Sequence, residues 1–384
     1  MSMKMRSVLL AVVAGVVPLP TRAEERLELR PSVVLGQVWD DNIFSSAEEP
    51  QADAITSLGP GLTLALRGRH FGASLSYSRE GQMFGRLSSL NTTGAGQSAV
   101  GTLSYAGAGG LRLDAIQAYT TTLNPGQLAP TTGLDLGRRP AWQVSSEQTL
   151  SVPLGERSKG SLRYAFAMDE VEGAFSGQTH SAGATLERRS SERTSVTLGY
   201  TLRRFAAGGV GVTSHVVLGG WTASLGPRTT LRVAAGPRIA AGEPAPEIDV
   251  SLRHQMKGGE LQVAYGQTEA RILGLAGVGS TESATVSFSR DIVHSLRFGV
   301  SPGVYRNRAP QTEWTVYRVG SRLVWTIGRS VSIVGSHEFA STRGGVPGSF
   351  LHNVYSVRLT VAPPGRPLVA AAPPRRSGAG EEEP

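Results

Sequence analysis

"LTLALRGRHFGASLSYS", Leu62 to Ser78, is the stretch that decides the fold. In its first half Leu62, Leu64 and Leu66 alternate with Thr63, Ala65 and Arg67. In its second half Phe71, Ala73, Leu75 and Tyr77 alternate with Gly72, Ser74, Ser76 and Ser78. Successive side chains of a strand point to opposite faces, so each half has one apolar face and one polar or small one. Arg67–His70 between them reads as a compact turn.

The same period of two runs along the chain. Leu162, Tyr164, Phe166 and Met168 share one face of "SLRYAFAMD", and "SVTLGYTLR", "IDVSLRHQM" and "VSIVGSHEF" repeat the pattern. A weak phrase follows several turns: "SLRYAF", "SVTLGY", "TLRVAA", "ELQVAY", "SLRFGV", "SVSIVG". Compact turn signals at 67–70, 106–110, 155–160, 188–194, 226–228, 257–259, 290–294 and 328–330 alternate with longer connections. Those fall at 40–53, 85–91, 124–138, 169–178, 206–211, 240–247, 268–281, 306–311 and 341–349. Short turns at one end and longer loops at the other are the mark of an outer-membrane barrel. The expectation is an all-β, antiparallel up-and-down transmembrane β-barrel of about 18 strands, with short periplasmic turns and longer outer loops. A soluble sandwich would need a second layer of large residues, and a propeller would need blade-length repeats.

Three segments follow. Lys4 and Arg6, the apolar run Val8–Leu19 and the Thr21-Arg22-Ala23 site read as a signal peptide over residues 1–23, and so as export. The barrel is expected over residues 24–361. Residues 362–384, rich in proline, alanine and charge, read as a disordered tail. The chain has no cysteine, which removes thiolate metal sites and cysteine nucleophiles. Losing Lys4, Arg6 and Arg22 takes the formal net charge from +8 to +5. Without a basic run, nucleic acid is not an expected partner.

If leucines and aromatics face lipid, their neighbours face the lumen. Arginine toward lipid at the bilayer midplane costs about 2–4 kcal/mol. Arg112, Arg163, Arg203, Arg232, Arg253 and Arg297, each flanked by apolar residues or in a similar setting, are therefore expected to line the interior. Asp114, Asp169 and Asp249 fall on the same polar faces. Two readings stay open: a charged conduit contacting a polar or anionic solute, or a ladder of ion pairs stiffening the wall. Of Trp39, Trp142, Trp221, Trp314 and Trp325, some are expected in aromatic girdles.

Catalysis is not expected, and neither is a metal or other cofactor. The seven histidines show no ligand spacing, and there is no Gly-x-Ser-x-Gly elbow. Ser336, His337 and Glu338 are adjacent, so on a strand they diverge and form no triad.

At the end of the first strand stand Asp40, Asp41, Asn42, Ile43 and Phe44, in "SVVLGQVWDDNIFSS". Two carboxylates and an amide fall short of the six to eight oxygens of a calcium site. They read as a turn opening the first outer loop, at the lip of the pore. "VWDDNIF" followed by "AITSLGPGLTLALRGRHFGASLSYS" resembles the β-barrel porin 2 family, through Asp41-Asn42-Ile43-Phe44, Pro60-Gly61 and Tyr77. The resemblance implies outer-membrane lipid as surroundings, export of an exopolysaccharide through the lumen, and periplasmic export proteins as partners. The alternatives are a general or nutrient porin for small solutes, and a structural or adhesive barrel without a through-pore.

Overall fold

Eighteen antiparallel strands follow from this alternation, and they close on themselves. The computed structural model describes residues 26–309, 312–345, 348–364 and 366–367. The signal segment and most of the tail lie outside these residues. Each strand pairs with its sequence neighbours, β1 (Arg26–Asp40) with β2 (Asp53–Arg67), and so on to β17 (Val331–Gly344) with β18 (Phe350–Val361). The barrel closes where β1 meets β18, from Val33 opposite Val361 to Asp40 opposite Val354. Closure leaves no free sheet edge. Arg366–Pro367, in the stretch expected as tail, pairs with Glu28 and Leu29 of β1.

Strand pairing fixes which residues share a face, because directly opposed residues point the same way. Leu58, Leu162, Leu198 and Leu351 point outward and are more than half exposed. The intervening polar residues point inward, where Thr63 bonds Ser76 at 2.9 Å and Ser74 bonds Thr102 at 2.7 Å. An inside-out distribution of this kind suits a chain whose outer solvent is hydrocarbon.

The two ends of the barrel differ. At one end all connections are short. At the other, L1 (residues 41–52), L2 (85–91), L3 (123–140), L4 (172–176), L7 (271–278) and L9 (345–349) are longer. Three connections expected to be long are tight instead; at the one expected over 306–311 the strands end at Ala309 and resume at Thr312, and the other two are two-residue turns. β9 (Thr194–Ala207) joins β10 (Val210–Gly226) through Gly208-Gly209 alone. β11 (Thr229–Ala240) joins β12 (Glu243–Met256) through Ala241-Gly242. All four turn residues have positive φ, which matches the twist of a two-residue hairpin. Glycine there extended the strands into what alternation alone left as loop.

Candidate functional site: a plug at the long-loop end

The dry cores of the described chain all lie at the long-loop end, inside the barrel. There L3 and L7 fold inward rather than outward. In L3, Pro125, Pro130 and Pro140 forbid continued strand pairing. Gly133 and Gly137 turn the chain with φ of 64° and 68°. An ideal Cβ would stand 2.4 Å from the Tyr305 ring at Gly133 and 2.4 Å from the Phe44 carbonyl oxygen at Gly137. Only glycine fits both positions.

L3 crosses to the opposite wall. Its Leu134 is buried with Trp314 and Val316 of β16 (Thr312–Ile327) and with Ile272 of L7, while Tyr305 of β15 (Leu296–Ala309) packs beside them. The Thr132 carbonyl accepts a 2.8 Å hydrogen bond from Asn307 Nδ2, and Asn307 Oδ1 accepts one from Thr281. L7 crosses the other way. Arg271 pairs with Asp169 of β7 (Ser158–Val171), Gly274 bridges Phe175 of L4, and the Gly277 amide donates to Ala207. Leu273 of L7 is buried with Ala141 and Val171, against Leu128, Ala129 and Leu136 of L3. The two loops thus meet along an apolar seam within the lumen. Each fully buried Leu or Ile contributes roughly 1.5–3 kcal/mol. Burial pulls the Arg271 guanidinium down to about 10, so it stays charged at neutral pH.

L3 is held to the closing seam of the barrel by a charged network. His352 of β18 bonds Asp40 of β1 at 2.7 Å through Nε2, and Asp135 of L3 through Nδ1. Arg138 of L3 reaches the other oxygen of Asp40 at 3.3 Å. Asp40 and His352 are buried. Burial alone would raise the Asp135 carboxyl. Hydrogen bonds from His352 and the Gly137 amide instead hold it below the usual carboxylate range.

The stretch expected as the lip of the pore is the socket of this anchor. Asp40 Oδ1 also accepts from the Asn42 amide, the local turn that short polar side chains form. Asp41 accepts from the Asn353 amide and side chain. Asn42 exchanges bonds with Ser46 and donates to the Leu351 carbonyl. Ile43 is buried with Ile55 and Phe84, and its carbonyl accepts from the Arg138 amide. Phe44 stays partly exposed while its backbone packs on Gly137. Asp40, Asp41 and His352 also lie close enough together to hold a cation, but their oxygens and nitrogens are already engaged with Arg138, Asn353, Asp135 and one another.

The charged residues expected in the lumen all fall on inward positions, and each has a partner. Arg112 pairs with Asp114 at 2.7 Å, Arg163 with Glu147 at 2.7 Å, Arg232 with Asp249 at 3.8 Å, Arg253 with Glu260 at 2.6 Å and Arg297 with Asp291 at 3.2 Å. These pairs lie toward the short-turn end and are largely exposed, so the interior there is wet. Exposed pairs of this kind are worth about 0–1 kcal/mol each. Arg203 and Asp169 differ, because both sit under the plug. Arg203 shares Glu247 with Arg238, and Asp169 is fully buried against Arg271. Trp39, Trp221 and Trp325 face outward and are nearly half exposed, whereas Trp314 is buried inside against L3. Ser336 and Glu338 face inward, toward Ser356 and Arg318, and His337 stacks outward on Tyr355, so the three diverge.

Sequence reasoning passed over Asp135, Arg138, Arg271 and His352. A signal was present: "LNPGQLAPTTGLDLGRRP" and "RILGLAG" carry leucines and an isoleucine in segments without strand periodicity. Apolar residues in a loop mark burial.

No family model matches the chain, and no curated protein matches it. Among solved structures, the fold is similar to OpdO of Pseudomonas aeruginosa, at 9% identity over 88% of this chain and 97% of that one, with a TM-score of 0.50. It is also similar to OccK5 (OpdH) of the same organism, at 11% identity over 88% and 98%, TM-score 0.48. A third is an anion-selective porin from Comamonas acidovorans, at 13% identity over 88% and 100%, TM-score 0.41. At these identities the likeness is one of fold, a porin-type barrel. The resemblance to the β-barrel porin 2 family rests on its quoted residues alone.

Proposed function

We propose that the protein is an outer-membrane porin that passes small polar solutes through a lumen narrowed at its outer end by L3 and L7. The long-loop end then faces outside and the short turns face the periplasm. The observation that carries this reading is the pair of inserted loops, anchored to opposite walls above a wet interior lined by arginine–carboxylate pairs. An 18-stranded barrel without such loops would leave a wide aqueous channel. With them the passage is selective by size and charge.

Export of an exopolysaccharide, expected from the resemblance, is the weaker reading. The porin-type likenesses lend it no support, and the packed seam of Leu134, Ile272 and Leu273 obstructs the width a polymer needs. The general porin alternative accounts better for the same features.

Planar-bilayer recording of the purified protein, with liposome swelling in graded sugars, amino acids and short oligosaccharides, tests the proposal. Stable conductance with swelling only for the smaller solutes is the expected result. Passage of long oligosaccharides would restore the export reading. Absence of conductance at any voltage would favour a structural barrel.

A further inference from the structure

The outward face of β7, β8 (Gly177–Arg189), β9 and β10 breaks the apolar belt in an ordered way. Toward the long-loop end it carries His180 on β8, Arg204 on β9 and His215 on β10. His180 and Arg204 are opposed in register, and with Gln178 and Ala206 they line a cavity of about 340 Å³. Arg204 is exposed. The nearby ion pairs, Arg163 with Glu147 and Arg203 with Glu247, lie on the inward face, and Arg204 takes part in none among the described residues. The positive charge is therefore turned toward the membrane without an acidic partner.

Both histidines are held in place from below. The Tyr164 hydroxyl meets His180 Nδ1 at 2.9 Å, and the Tyr200 hydroxyl meets His215 Nδ1 at 2.8 Å. Phe166 packs on the His180 ring at 4.9 Å. When the tyrosine hydroxyl donates to Nδ1, or when the ring is protonated, Nε2 of each histidine carries a proton and is a donor. On the same strands, toward the short-turn end, Leu162, Ala184, Leu186, Leu198, Tyr200 and Val217 line an apolar groove of about 500 Å³. Tyr200 joins the two halves, with its ring in the groove and its hydroxyl on His215.

Cationic donors outermost with an apolar groove beneath them reproduce the polarity of an acidic lipid in the outer leaflet. Arg204 stands three residues from the end of β9, where arginine toward lipid costs far less than at the midplane. Guanidinium and imidazole donors suit a phosphate, and a free phosphate would leave the groove unused. We propose that this face is a binding site for one phosphate-bearing lipid, its headgroup on Arg204 and His180 and an acyl chain in the groove.

Native mass spectrometry of the full-length protein, extracted in neutral detergent and given phosphatidic acid or diacylglycerol of the same chains, tests this. The wild type should retain phosphatidic acid about ten-fold better, the scale of one charge-assisted contact. R204Q/H180Q should abolish that preference while keeping the heat-modifiable gel mobility of a folded barrel. A184W, which fills the groove and leaves the donors, should lower retention of both lipids. Unchanged preference in R204Q/H180Q, or unchanged retention in A184W, overturns the proposal. Displacement of phosphatidic acid by millimolar inorganic phosphate overturns it too, in favour of a simple anion site.

Discussion

Replacing His352 with alanine removes both hydrogen bonds that tie Asp135 of L3 to the barrel wall and to Asp40. Breaking a buried charged pair by deleting one partner costs about 3–5 kcal/mol. Here Asp40 keeps Arg138 and the Asn42 amide. Asp135 keeps the Gly137 amide, and its side chain is 16% exposed, so water reaches it. These remaining contacts bring the expected loss to about 2–3 kcal/mol, roughly a 30- to 150-fold shift toward an undocked L3. The Arg138–Arg139 bond gives L3 a trypsin site, and cleavage of a transiently opened segment tracks its open population. Trypsin should therefore cut H352A at this loop roughly 30 to 150 times faster than the wild type, with larger or noisier conductance in bilayers. D135N should show a similar gain, and H352A/D135N should add little to either alone, because the two residues share one interaction. A cleavage rate within three-fold of wild type, in a protein of normal heat-modifiable mobility, would refute the anchoring role.

Three further outcomes follow from the same geometry. G133A places a Cβ against the Tyr305 ring at a left-handed φ, costing at least about 1–2 kcal/mol, and should likewise raise trypsin cleavage of L3. R163Q/R232Q/R297Q leaves Glu147, Asp249 and Asp291 without their partners, so reversal potentials in a salt gradient should move toward cation selectivity. Because the folded carboxyl of Asp135 titrates below its ordinary value near 3.8, its contribution is complete at neutral pH and is lost as pH falls through the lowered value. L3 protection should persist at pH 5 and fail only below about pH 4, as conductance against pH would show.

The barrel was legible because alternation is a local property, repeated strand after strand. Leu62, Leu64 and Leu66 face outward whatever the distant chain does, and the paired arginines face inward for the same reason. The plug was not legible. Asp40 and His352 are separated by 312 residues, and only closure of the sheet makes them neighbours. Asp135 and Arg271 sit in segments without a period, and no rule of spacing says whether a loop turns inward. The leucines within those loops were the available hint. The acidic run at the end of β1 could be read as a turn, and Asp40 and Asn42 do form one, but its second role needs L3 and β18 to be in place.

Placing the anchor of L3 on β1 and β18 has a consequence for assembly. Those are the first and last strands of the barrel, and their pairing is the contact that closes the circle. Before that moment Asp40 and His352 stand at opposite ends of an unfinished sheet, and L3 has no complete socket. The socket of L3 is therefore complete only in a closed barrel. A protein stalled with its seam unzipped would sit in the bilayer as an unplugged sheet, and a protected L3 would certify that the circle had been completed.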